Sequence, residues 1–145
     1  MKNTSVLKIF WIIASIAVIG FSVAGCALKE DTPSMDELVG EWKGSYGANQ
    51  GETGLTLSVY KEGSKYKAIF DFYNLPGRTN SLEGSYYMNV STDESKYILK
   101  GDQWISRPSN YVFVDLYGTI SGNVFSGSVS SPQGGGGTTF RVVKQ

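Results

Sequence analysis

Apolar and polar residues alternate along most of this chain, and the alternation has a period of two. In Leu55-Thr56-Leu57-Ser58-Val59 the leucines and the valine project to one side and the hydroxyls to the other. Ala68, Phe70 and Phe72 share a face within Ala68-Ile69-Phe70-Asp71-Phe72-Tyr73. In Val112-Phe113-Val114-Asp115-Leu116-Tyr117 the aliphatic residues take one face, and Phe113, Asp115 and Tyr117 take the other. Successive side chains of a strand point to opposite faces, so these runs read as half-buried β-strands. Eight strands are predicted: Val39–Tyr46, Gly54–Lys61, Lys65–Tyr73, Leu82–Ser91, Lys96–Gly101, Tyr111–Ser121, Val124–Ser130 and Thr138–Lys144. Between them lie turn residues such as Glu62-Gly63-Ser64, Leu75-Pro76-Gly77 and Thr92-Asp93-Glu94. Gly122-Asn123 has the composition of a two-residue hairpin of the I′ or II′ kind. Ser34-Met35-Asp36-Glu37 has the S-x-x-E spacing of a capping box, which predicts one helical turn before Leu38. The expected fold is therefore all-β: a single small, antiparallel, eight-stranded up-and-down barrel, whose closure removes exposed edges. A two-sheet sandwich is the alternative.

One segment breaks the alternation. Ile9 to Gly25 is a run of seventeen residues without a charge, and only Lys2 and Lys8 carry charge before it. A basic start, an apolar middle and small residues at the end make a secretory signal, whereas a membrane-spanning helix needs about 20 apolar residues. The join decides between them. Val23-Ala24-Gly25-Cys26 resembles the lipobox of bacterial lipoproteins, an aliphatic residue and two small ones before a cysteine. The resemblance implies that the Cys26 thiol receives a diacylglycerol and that the chain is cut just before it. Residues 1–25 are then a lipoprotein signal peptide, residues 26–37 the lipidated N-terminus and a short polar tether, and residues 38–145 the barrel domain. Ala27 stands where an inner-membrane retention signal would carry Asp, so the expected address is extracytoplasmic, on the outer membrane if the cell has two.

Composition narrows the chemistry. With one cysteine no internal disulfide can form, so the exported domain depends on its core alone. The full chain has 13 basic and 13 acidic residues, and losing Lys2 and Lys8 leaves the exported part slightly acidic. No basic run remains to neutralise phosphates, which argues against a nucleic-acid partner. Histidine is absent, so nucleophilic schemes that need a His base and metal sites built on His are excluded. No cofactor or metal motif is present: Gly134–Gly137 lacks the Lys and the following helix of a phosphate loop and reads as a loop before the last strand. A pair among Glu41, Glu52, Asp71, Glu83, Asp102 and Asp115 is the only route to a hydrolase, and acids of this kind are ordinarily solvated. The expectation is that the protein is not an enzyme.

Gly40-Glu41-Trp42 opens the first strand, and Arg141 sits in the last. This resembles the lipocalin pattern, in which a G-x-W on the first strand packs under a basic residue from the last. The resemblance implies barrel architecture, with Gly40, Trp42 and Arg141 as structural residues and Arg141 over the Trp42 ring; small calycin-like barrels of the avidin type share the opening.

The segment Gly101 to Tyr111 is expected to link two strands by a long loop, and it gathers Trp104, Arg107, Asn110 and Tyr111. A flat aromatic surface beside a fork of donors suits a sugar, a peptide or another polar ligand. The competing reading has Trp104 plugging a barrel end while Arg107 satisfies loop carbonyls. Two functions stay open at this point. One is a tethered module binding a small or extended envelope ligand; the other is a structural lipoprotein, or one that meets an envelope protein, without a pocket.

Overall fold

The structure, a computed structural model, describes residues 32–48, 51–78, 83–132 and 137–145. The signal peptide, the lipobox, Cys26 and the tether up to residue 31 lie outside the described residues, as do Leu82 and Gly134 to Gly136 of the expected strand and loop. A one-turn helix α1 (Met35–Leu38) precedes eight strands: β1 (Gly40–Ala48), β2 (Gly51–Glu62), β3 (Lys65–Tyr73), β4 (Gly84–Asp93), β5 (Lys96–Ser106), β6 (Asp115–Ser121), β7 (Val124–Ser130) and β8 (Thr138–Lys144). Each strand pairs antiparallel with the next, and β8 returns to β1 through Trp42↔Lys144 to Tyr46↔Phe140. The sheet closes into a barrel, and the sandwich is excluded.

Within β2 and β3 alternation sorts the faces as expected. Phe113, expected on the outer face with Asp115 and Tyr117, instead turns in against Trp104 and Tyr86, because its segment leaves the β5–β6 ladder. Trp42, Leu55, Leu57, Ala68, Phe70, Phe72, Tyr86, Leu99, Leu116, Phe125 and Val142 are buried inside. Large side chains occupy the interior, which in an eight-stranded barrel is just wide enough for side chains to fill. Small residues make room for large ones: Gly118 and Gly127 face each other across β6 and β7. A β-carbon on Gly118 would lie 2.7 Å from the Phe140 ring and 2.5 Å from the Ser126 carbonyl oxygen. Among the described residues every buried apolar residue lies at or after Leu38, so the barrel's core cluster is carried by the chain from Thr32 onward.

The two ends of the barrel differ. At one end, the base, three tight hairpins join β2 to β3, β4 to β5 and β6 to β7. There α1 lies across the opening with Leu38 fully buried. Tyr97 donates its hydroxyl to the Ser34 carbonyl at 2.8 Å, and the Trp42 indole N–H donates to the Leu38 carbonyl at 2.8 Å. The helical turn forms as predicted, although the Ser34 side chain makes no cap bond. At the other end, the mouth, the β3–β4, β5–β6 and β7–β8 connections are all longer.

Two expectations need correction. The cation over Trp42 is Lys144, with Nζ 5.1 Å from the ring centroid, and not Arg141. Val142 is fully buried, so period two turns Lys144 toward the interior and Arg141 to the outside, opposite Ser45 and Ser126. Gly40, with φ at 133°, leaves room beside the Lys144 stem, its would-be β-carbon 3.1 Å from Cε. Second, β5 runs on to Ser106 while β6 begins only at Asp115, so Tyr111 to Val114 is not strand. The expected loop from Gly101 is in fact the upper half of β5 followed by residues 107–114.

Candidate functional site

The mouth is built where the β5–β6 ladder stops. These strands pair only through Tyr97↔Gly118, Ile98↔Tyr117 and Leu99↔Leu116. Past that point β5 stays with β4 through two bulges, which carry Trp104 inward opposite Tyr86. The chain then turns at Pro108 to Tyr111, where the Tyr111 N–H donates to the Pro108 carbonyl at 3.3 Å. Asn110 takes a left-handed conformation with φ at 65°, a position Asn tolerates better than most residues. Residues 111–114 cross the mouth as a strap.

Ring stacking and one hydroxyl hold the strap down. Tyr111 stacks on Phe72 with centroids 5.2 Å apart and planes 5° apart. Phe113 stacks on Trp104 at 4.9 Å and 17° and approaches Tyr86 at 5.1 Å. Trp104 meets Tyr86 edge-on at 5.0 Å. The Tyr86 hydroxyl donates to the Val114 carbonyl at 3.0 Å and accepts from the Val114 N–H at 3.2 Å. Burial pushes the Tyr86 phenol well above its ordinary range, only partly offset by the Val114 bond, so it keeps its proton and can donate.

Arg107 is exposed at the rim. Its guanidinium lies 5.6 Å from the Trp104 ring centroid, and its Nε donates to the Tyr111 carbonyl at 3.1 Å. The structure thus brings Trp104, Arg107 and Tyr111 together. Asn110 stays exposed at the turn beside them. The competing reading of the segment is met in its particulars, with Trp104 packed into the barrel end and Arg107 donating to a loop carbonyl, while Arg107 and Asn110 also stay exposed to solvent. Phe72, Tyr86 and Phe113 complete the cluster and were not among the expected site residues. The inward parity of Phe72 was readable from its strand; the meeting of β3, β4 and the strap was not.

The carboxylates are spread over the barrel. Asp115 accepts from the Gly101 N–H at 3.0 Å, Glu52 from the Ser45 hydroxyl at 2.5 Å, and Asp102 lies 3.7 Å from Lys67. Asp71 is raised above the usual carboxylate range by burial and then by the nearby Glu83. Among the described residues no group of three or more Cys, Asp or Glu is arranged to hold a metal ion, and no helix is long and apolar enough to cross a membrane. No protein-family model, curated protein or solved structure matches this chain.

Proposed function

We propose that the protein is a lipid-anchored extracytoplasmic lipoprotein that binds an envelope ligand at the mouth of its barrel, through Trp104, Arg107, Asn110 and Tyr111. The observation that supports this reading is the polarity of the barrel. The described end of the tether, from Thr32, meets the barrel at the base, where α1 closes the opening, and the longer connections and the aromatic rim lie at the opposite end. A lipid on Cys26 then holds the base toward the membrane and leaves the mouth facing outward. Large buried side chains occupy the interior, so this reading places recognition at the rim. The reading assigns no catalytic chemistry and no cofactor, and it places no nucleic acid among the partners.

The occupied interior also favours a second reading, a lipoprotein that meets an envelope protein and takes no small ligand. A thermal-shift screen of the Thr32–Gln145 protein against envelope sugars, peptides and lipids separates the two. A true rim ligand raises the melting temperature of wild type and of Arg141→Ala, and fails to do so for Arg107→Ala. A hit indifferent to Arg107 and Asn110 refutes the rim assignment, and silence across the screen favours the protein partner.

A further inference from the structure

The missing rungs of the β5–β6 ladder point to a second arrangement of the strap. Continued past Leu99↔Leu116, the register would set Lys100 opposite Asp115 and Gly101 opposite Val114. The backbone groups of that second rung are engaged elsewhere: Gly101 N–H by the Asp115 carboxylate, Val114 N–H and C=O by the Tyr86 hydroxyl. Val112, Phe113 and Val114 are otherwise residues that suit a strand. Period two then matters. Leu116 faces inward, so a zipped strap would point Val112 and Val114 into the barrel and swing Tyr111 and Phe113 out. In the structure the aromatic pair is turned in, yet it is only half-buried, whereas Leu99 and Leu116 of the ladder are fully buried.

We propose that the mouth is a covered binding site, opened when the strap exchanges its Tyr86 bonds for the β5 ladder, and that it takes a flat aromatic ligand bearing an acidic group. Zipping vacates two stacking places, the Phe72 face now held by Tyr111 and the Trp104 face now held by Phe113. A planar ring system fits either vacancy through the offset stacking that these rings already use. Arg107, exposed beside Trp104 and without an ion pair among the described residues, supplies the counter-charge. The proposal rests on the mouth being the binding end.

Titration of the Thr32–Gln145 protein with 2-naphthalenesulfonate, a flat aromatic anion, tests it. Tyr86→Phe keeps the ring and removes the hydroxyl that holds Val114. That variant should bind one probe at least about tenfold more tightly than wild type. Both Val114 bonds to the hydroxyl are lost, and one net hydrogen bond alone is worth about tenfold to a two-state strap. Tyr97→Phe, the same change at the base, should bind as wild type does. Equal affinity in Tyr86→Phe and wild type overturns the proposal, and so does an equal gain in Tyr97→Phe, which would mean general loosening. If Tyr86→Phe does not fold, hydrogen exchange on wild type decides. Amides of Val112 and Val114 should exchange at least about tenfold faster than those of Leu99 and Leu116; equal protection overturns the proposal. A failed screen for envelope ligands leaves the titration standing. A failed titration beside an Arg107-dependent hit removes the strap exchange and spares the rim.

Discussion

Trp42 and Lys144 lock the first strand to the last, and a double-mutant cycle measures that lock. Trp42 is fully buried, meets Phe125 edge-on at 5.9 Å, and donates its indole N–H to Leu38. Trp42→Ala should cost about 3–5 kcal/mol, the range for emptying a large aromatic site. Lys144 has two roles: its ammonium sits over the indole and donates to the Glu37 carbonyl at 2.8 Å. Lys144→Met keeps most of the stem and removes the charge, so the loss should be about 1–2 kcal/mol, from one half-exposed cation–π contact and one charged hydrogen bond. The double mutant should fall short of the sum by about 0.5–1 kcal/mol, because the contact with the indole can be lost only once. Arg141→Met, on the outer wall, should stay within about 0.5 kcal/mol of wild type. Urea melts of the four Thr32–Gln145 proteins and their parent give these differences from midpoint and slope. Strict additivity, or a larger loss from Arg141→Met than from Lys144→Met, would refute the assignment of the cation to Lys144.

Two further outcomes follow from the core. Burial raises Tyr97 to about 12 and lifts Tyr46 and Tyr86 as well. In the unfolded chain these phenols lose their protons near pH 10, so stability should be flat below that pH and fall above it, by up to about 1.4 kcal/mol per pH unit for each such tyrosine. Urea melts between neutrality and pH 11 check this, and Tyr97→Phe should make the decline shallower; a slope unchanged in that variant would contradict the role of Tyr97. Gly118→Ala places a methyl group against the Phe140 ring and the Ser126 carbonyl, and should cost about 1–3 kcal/mol by overpacking. A melting temperature equal to wild type would show that the interior is looser than described.

Much of the barrel was readable from alternation because each strand buries one face. Lys65–Tyr73, Val124–Ser130 and Thr138–Lys144 fall on the residues expected, and Gly122-Asn123 turns where its composition demands. The error over Arg141 was avoidable: Phe140 and Val142 fix the inward parity of the last strand, and Lys144 shares it. The strap was a different matter. Tyr111 to Val114 has the pattern of a strand, but its backbone bonds to the hydroxyl of Tyr86, 28 residues away in sequence, and its rings stack on Phe72 and Trp104. Local pattern carries no information about that bond. In the same way, the neighbourhood of Trp104, Arg107 and Tyr111 was visible from their spacing. Their coverage by Phe72 and Phe113 depends on how β3 and the strap meet, which only the closed barrel determines.

The central claim, that this barrel works from the end of a lipid anchor, is tested most directly by metabolic labelling of the full chain with a tagged fatty acid in a bacterial host. Wild type should take up label and migrate as the form cut before Cys26, whereas Cys26→Ser should remain unlabelled and uncut. Labelling of Cys26→Ser as strong as that of wild type would contradict the anchor, and with it the orientation that leaves the mouth facing away from the membrane.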